Sequence, residues 1–276
     1  MPWRQSSYGF WESPVAECVI RGARFHYQRL GKRPEGPVAV FIHGLVMDNL
    51  SSWYFTVAGA AAARCEVLVY DLRGHGNSER TVAGYGVTEM ASDLEALVDT
   101  LVPDRPLVLI GNSFGGVVAL EVAARRPDQV RGLFLVDAHV GDAGLGAEMK
   151  ATLELEGEAR AAKIAEGFQS WVGRHSDVRR NRLAQRAREL VYETQLVDEL
   201  SRDSAISPDR LTKYRAPAQL LYGERSDVLE RARGLEALLP QAGLTVVPGA
   251  SHAVLWEATE AVKSGVLALI DAATGV

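Results

Sequence analysis

Apolar positions along the 276-residue chain recur in two rhythms. Short runs of Val, Ile, Leu and aromatic residues alternate with longer stretches in which apolar side chains return every three or four positions. The runs Pro37 to Ile42 (PVAVFI), Glu66 to Tyr70 (EVLVY), Pro106 to Ile110 (PLVLI), Arg131 to Val136 (RGLFLV), Pro217 to Tyr222 (PAQLLY) and Leu244 to Val247 (LTVV) carry few polar interruptions. That is the pattern of strands buried on both faces. Val15 to Arg21 and Ala23 to Leu30, joined through Gly22, predict an opening antiparallel hairpin. Helices are predicted over Ser51 to Ala63, Thr88 to Leu101, Phe114 to Arg126, Leu229 to Leu239 and Ala253 to Ala272. In the second of these, Met90, Leu94, Leu97, Val98 and Leu101 share one face. The expected fold is α/β: a mostly parallel eight-stranded sheet with helices on both faces.

One stretch breaks the rhythm. From about Gly141 to Lys213 the chain has no strand-like run and is dense in Glu, Arg, Ala and Leu. This predicts an inserted helical bundle (141–213) within a core made of 1–140 and 214–276. Within it, positions 174–188 hold six arginines (Arg174, Arg179, Arg180, Arg182, Arg186 and Arg188) against one acid, Asp177. Such a run is either a solvated helix face or a dock for an acidic partner such as a carrier protein.

Charge and composition narrow the function. Lys and Arg total 30 and Asp and Glu 35, a net charge of −5, whereas a dedicated nucleic-acid binder carries a basic surplus. No apolar run reaches the roughly 20 residues that span a bilayer. The N-terminal residues are followed by aromatics and acids rather than by an apolar signal core, so the expected location is the cytoplasm, away from membranes. The two cysteines, Cys18 and Cys65, lie in apolar stretches and read as reduced, buried thiols. Neither has metal-ligand spacing to a His or second Cys, and no metal or organic cofactor is implied.

The chemistry concentrates at Gly111-Asn112-Ser113-Phe114-Gly115-Gly116, directly after the run PLVLI and at the start of a predicted helix. A serine on a strand-to-helix turn needs small neighbours two positions either side, and Gly111 and Gly115 supply them. The turn exposes the Ser113 hydroxyl, and the helix N-terminus offers positive potential to a developing oxyanion. A hydroxyl at its free pKa is a poor nucleophile, so a base is required. Of the six histidines, His252 follows the last predicted strand in a loop able to return to Ser113. His43, at a strand end, shapes a turn beside the pocket; His139 follows another strand end and is a candidate pocket residue. His75 belongs to a Gly-rich turn. The third member is a carboxylate at a strand end. Asp227, in the loop after PAQLLY, is the first choice, with Asp137, directly after RGLFLV, and Glu224 as competitors.

The order nucleophile, acid, base, with the nucleophile on such an elbow, resembles the α/β-hydrolase superfamily over nearly the whole chain. His43-Gly44 resembles its oxyanion loop, Tyr70 to Ser78 (YDLRGHGNS) its second Gly-rich turn, and Ser251-His252 its base loop. The resemblance implies that Leu45 N–H and Phe114 N–H form the oxyanion hole, that the Asp71/Arg73 turn is structural, and that 141–213 is a cap. In many members the acid falls three residues after the strand-terminal Gly, a position that Ser226 occupies here.

The expected reaction is cleavage of an ester or thioester through an acyl-enzyme. Acyl transfer from a carrier-protein thioester and C–C bond hydrolysis of diketones are alternatives, and a non-catalytic hydrolase-like binder ranks last. The expected pocket comprises His43, Gly44, Met47, Trp53, His139, Trp171 and Trp256, with Phe114 alongside and Phe168 a further candidate from the insertion.

Overall fold

In the computed structural model the described residues are 4–5, 11–12, 16–138, 177–203 and 206–275, with a few positions between 147 and 158. Two short strands, β1 (Arg4–Gln5) and β2 (Trp11–Glu12), pair antiparallel with each other. β3 (Ala16–Ile20) and β4 (Ala23–Leu30) form the expected hairpin, turning through Arg21 and Gly22, both at positive φ. Six further strands follow: β5 (Val38–Ile42), β6 (Glu66–Tyr70), β7 (Leu107–Asn112), β8 (Val130–Val136), β9 (Ala218–Gly223) and β10 (Ala242–Val247). The eight strands from β3 on form one sheet in the order β10-β9-β8-β7-β5-β6-β4-β3. All pairs from β6 through β10 are parallel; β4 joins β6 antiparallel.

Alternation along β5 shows how the sheet is covered. Val38, Val40 and Ile42 face one apolar cluster, and Ala39 and Phe41 face the other. The first cluster is completed by α3 (Val87–Leu101) and α4 (Phe114–Arg125). The second is completed by a helical segment, α1 (Ser51–Trp53), a π turn (Tyr54–Ala58) and α2 (Gly59–Ala61), together with the last helix. All five residues of β5 are buried, which at about 25 cal/mol per Å² makes this central strand a main contributor to stability.

The described part of the predicted insertion forms α5 (Asp177–Glu193), α6 (Leu196–Arg202) and α7 (Pro208–Leu211). Leu190, Leu196, Val197, Leu200 and Leu211 belong to the same apolar cluster as α3 and α4, so these helices share the core of the sheet domain. They also complete α3. Val87 N–H at its N-terminus donates to Asp203 Oδ2 (2.8 Å), and Gly84 N–H donates to Glu199 (3.0 Å). Two acids, 116 and 115 positions downstream of these donors, thus satisfy backbone N–H groups and oppose the positive end of the helix dipole. The chain closes with α8 (Leu229–Leu238), α9 (Val254–Glu257) and α10 (Thr259–Thr274). No helix among the described residues is long and apolar enough to cross a membrane.

Candidate active site

Ser113 sits between β7 and α4 with φ 51° and ψ −119°, a conformation that costs an ordinary residue on the order of 1–3 kcal/mol. Close packing around the turn enforces it. A Cβ on Gly115 would lie 2.3 Å from Ile42 O and 2.4 Å from His43 O, and one on Gly111 would lie 2.4 Å from Gly115 O. Glycine alone permits β5, β7 and α4 to approach this closely. Ser113 N–H donates to Val136 O (2.9 Å), tying the elbow to the end of β8.

His252 arrives from the loop between β10 and α9. Glu257 accepts from Ser251 N–H (2.6 Å) and Ser251 Oγ (3.0 Å), which folds the loop back and presents the imidazole. His252 Nε2 lies 3.0 Å from Ser113 Oγ. Its Nδ1 lies 2.6 Å from Asp137 Oδ2. The carboxylate on the imidazole is therefore Asp137, not the first-choice Asp227. Asp137 directly follows β8 at φ 45°, and that left-handed turn sends its side chain sideways beneath the β9 loop. There it is fully buried, accepting Gly223 N–H on Oδ1 (2.8 Å) and Ser226 Oγ–H on Oδ2 (2.5 Å). Ser226 stands where the resemblance placed an acid, and it donates to the carboxylate that replaces one. Asp227, one residue on, acts on His252 through its charge.

The electrostatics of the imidazole follow. Burial pulls its pKa down, but the Asp137 hydrogen bond and charge, with Asp227 adding, outweigh this and raise it above 6.5. Asp137 accepts from Nδ1–H, so Nε2 faces the serine unprotonated, the tautomer a base requires.

The loop after β5 supplies the second wall. Leu45 N–H donates to no group among the described residues, and neither does Phe114 N–H at the start of α4. His43, fully buried, donates from Nδ1 to Gly44 O (2.6 Å) and accepts Leu72 N–H on Nε2 (3.0 Å). Gly44 O and Leu45 N–H belong to one peptide plane, so the His43 bond orients that donor. Asp48 Oδ2 accepts Gly44 N–H (2.7 Å).

The remaining expected pocket residues divide. Met47 is half-buried on this loop, Gly44 is buried within 3.6 Å of Ser113 by the position of its missing Cβ, and Trp256 is half-buried. Trp53 is not a pocket residue. It is fully buried in the cluster on the other face of the sheet, packed on Phe41 (ring centroids 5.2 Å apart) and donating from Nε1 to Ile42 O (3.0 Å). Partly buried Trp256 packs against that same cluster. His139, Phe168 and Trp171 lie outside the described residues.

The Asp71/Arg73 turn is structural, as the resemblance implied. Asp71 accepts from His26 Nδ1, Leu50 N–H and Asn77 N–H at 2.7 to 2.8 Å, and Arg73 forms a two-pronged pair with Asp93. Of the arginine run, Arg186 donates to Gly76 O (2.7 Å) and Arg188 is exposed. Arg174 and the side chains of Arg179, Arg180 and Arg182 lie outside the described residues. A surface recess of about 580 Å³ between Arg24, Arg80 and Arg186 contains none of Ser113, His252 and Asp137. Cys18 and Cys65 are free thiols whose pKa burial raises. No group of three or more His, Cys, Asp and Glu among the described residues is arranged to hold a metal.

A parallel sheet wrapped by helices, with a serine on a strained elbow and a histidine returning to it from after the last strand, defines the α/β-hydrolase class. The chain belongs to the Alpha/beta hydrolase family, whose sequence pattern matches residues 39–264. It is 40% identical over 116 residues to Lipase LipV of Mycobacterium tuberculosis, covering 42% of each chain. It is 30% identical over 149 residues to Protein phosphatase methylesterase 1 of Bos taurus, covering 52% of this chain and 39% of that one. The chain thus spans about two-fifths of the length of these curated relatives. In fold it is similar to the enol-lactonase from Burkholderia xenovorans LB400, with a TM-score of 0.73 and 22% identity over 92% of this chain and 99% of that one.

Proposed function

We propose that the protein is a serine hydrolase that cleaves carboxylic esters or thioesters of small acyl substrates through an acyl-enzyme. The observation that carries the reading is the continuous chain Ser113 Oγ, His252 and Asp137, with spacings of 3.0 and 2.6 Å. Ser113 Oγ attacks the carbonyl carbon while His252 Nε2 takes its proton. The imidazolium is stabilised by Asp137, and the oxyanion accepts from Leu45 N–H and Phe114 N–H. His252 then gives the proton to the leaving alkoxide or thiolate. Water, deprotonated by His252, releases the acid. Each preorganised oxyanion donor contributes about 10²–10³-fold in reactions of this type. A carrier-protein thioester enters the same chemistry, with the carrier thiol as leaving group. Lipase LipV and the methylesterase support the ester class by the words of their names.

Labelling with a fluorophosphonate, followed by peptide mapping, tests the reading, alongside turnover of p-nitrophenyl esters and acyl thioesters. An adduct at Ser113 and turnover lost in S113A are expected. Folded protein with neither adduct nor turnover overturns it.

A further inference from the structure

The loop that carries Leu45 N–H is held in an unfavourable shape from the neighbouring turn. Val46 has φ 67°. A β-branched residue is a genuine outlier there, since its Cγ atoms crowd the backbone. Two bonds hold it: Met47 N–H donates to Leu45 O at 2.8 Å, closing a γ-turn centred on Val46, and Val46 N–H donates to His75 Nε2 at 2.8 Å. His75 is itself fixed. Its Nδ1–H donates to Arg73 O (2.8 Å), its own N–H donates to Leu72 O (2.9 Å), and its carbonyl accepts Ser78 N–H (2.9 Å). The ring is 3% exposed and lies 5.3 Å from that of His43.

We infer that His75 is a positioning residue for the oxyanion hole, holding Val46 in the left-handed conformation that keeps Leu45 N–H aimed at the reacting carbonyl. Rotating Val46 back to a relaxed φ turns the peptide that precedes it and, with it, Leu45. The assignment rests on the hydrolase reading above. Only a neutral ring accepts the Val46 bond. Burial, followed by the neighbouring His43, depresses the His75 pKa to about 3, so the acceptor persists across the working pH range. His43 orients the Gly44–Leu45 peptide and His75 the Leu45–Val46 peptide, so one strut acts on each side of Leu45.

The test compares H75N, whose amide reaches the Nδ1 position but offers Val46 no acceptor, with H75Q, whose amide oxygen reaches the Nε2 position. Both are measured with p-nitrophenyl butyrate, with active sites counted by fluorophosphonate and folding followed by Tm. H75N is expected to lose on the order of 10- to 100-fold in kcat with KM within about threefold, short of the full loss of a donor. H75Q is expected to stay within about fivefold of wild type. Adding V46G to H75N is expected to recover most of the loss, because glycine adopts φ 67° at no steric cost. Unchanged kcat in folded H75N overturns the assignment, as does an equal loss in H75Q at unaltered Tm. If H75N alone does not fold, the H75N/V46G variant decides. A kcat within about fivefold of wild type supports the strut, and a loss of about 100-fold or more at native Tm overturns it. Wild-type protein without turnover or Ser113 adduct removes the hydrolase reading itself, an outcome read from wild type alone.

Discussion

Replacing Asp137 by Asn tests the acid of the triad more sharply than removing it. The Asp137→Asn side chain keeps an oxygen for Gly223 N–H, the donor that Oδ1 accepts in the native protein. The NH₂ of the new amide then occupies the place of Oδ2, facing both Ser226 Oγ and His252 Nδ1. A donor there requires Nδ1 to accept, which moves the imidazole proton to Nε2 and points N–H at Ser113 Oγ. The base then cannot take the serine proton. Substitution with this outcome costs about 10⁴ in kcat in a serine protease triad. With Ser226 still able to reorient, a loss of about 10³–10⁴ is expected here, roughly 4–5.5 kcal/mol of transition-state stabilisation. Asp227→Asn removes only a through-space charge on His252 and should cost less than about threefold, the scale of a screened surface interaction. The assay is p-nitrophenyl butyrate hydrolysis per folded molecule, with circular dichroism to confirm the fold. If D227N falls as far as D137N, or D137N stays within about tenfold of wild type, the assignment of Asp137 is wrong.

The raised pKa of His252 sets the pH dependence: the base must be neutral, so kcat/KM should fall as pH drops through a value above 6.5, and an acid limb centred below 6.5 contradicts the Asp137 contact. Gly115→Ala drives a methyl into two backbone carbonyls at 2.3 and 2.4 Å, which cannot both give way. It should destabilise by about 3 kcal/mol, lowering Tm by roughly 6–12 °C in calorimetry, and a Tm within about 2 °C of wild type refutes the packing argument. Glu66, 1% exposed, faces Arg29 and Arg105. Burial pushes its carboxyl up, but these arginines outweigh burial and hold it below 4.5, so its contribution is present above that pH and lost as pH falls through the folded value. Glu66→Gln should therefore cost about 2–3 kcal/mol in urea unfolding at pH 7, with the gap narrowing toward pH 3. A gap that is constant with pH sinks the account.

How much of this was legible depended on the reach of each interaction. The sheet was legible because runs such as VAVFI and LVLIG are buried on both faces, leaving no alternative reading at that length. Ser113 and His252 were legible because an elbow is a local motif, and a loop after the last strand can only return to the same sheet edge. The start of α3 was legible to within one residue, but the partners of its donors were not, since Glu199 and Asp203 come from another part of the chain. Trp53 was misplaced because adjacency to the oxyanion loop suggested the pocket. One helical turn after that loop, its side chain points instead to the face that Phe41 occupies.

The acid shows why a strand end is a weaker address than a motif. β8 and β9 are parallel neighbours, with Val136 paired to Leu221. Their C-terminal loops therefore open within one strand spacing of each other, and a carboxylate from either can reach one imidazole. Chain order alone does not separate them, since Asp137 and Asp227 both fall between Ser113 and His252. What separates them is backbone conformation: positive φ at Asp137 carries its carboxylate under the β9 loop to Gly223 N–H, and a serine three residues after that Gly supplies the second donor. The signal was present as Ser226 at the usual acid position. A hydroxyl there, next to an aspartate one residue out of place, marks a loop that receives a carboxylate rather than providing one.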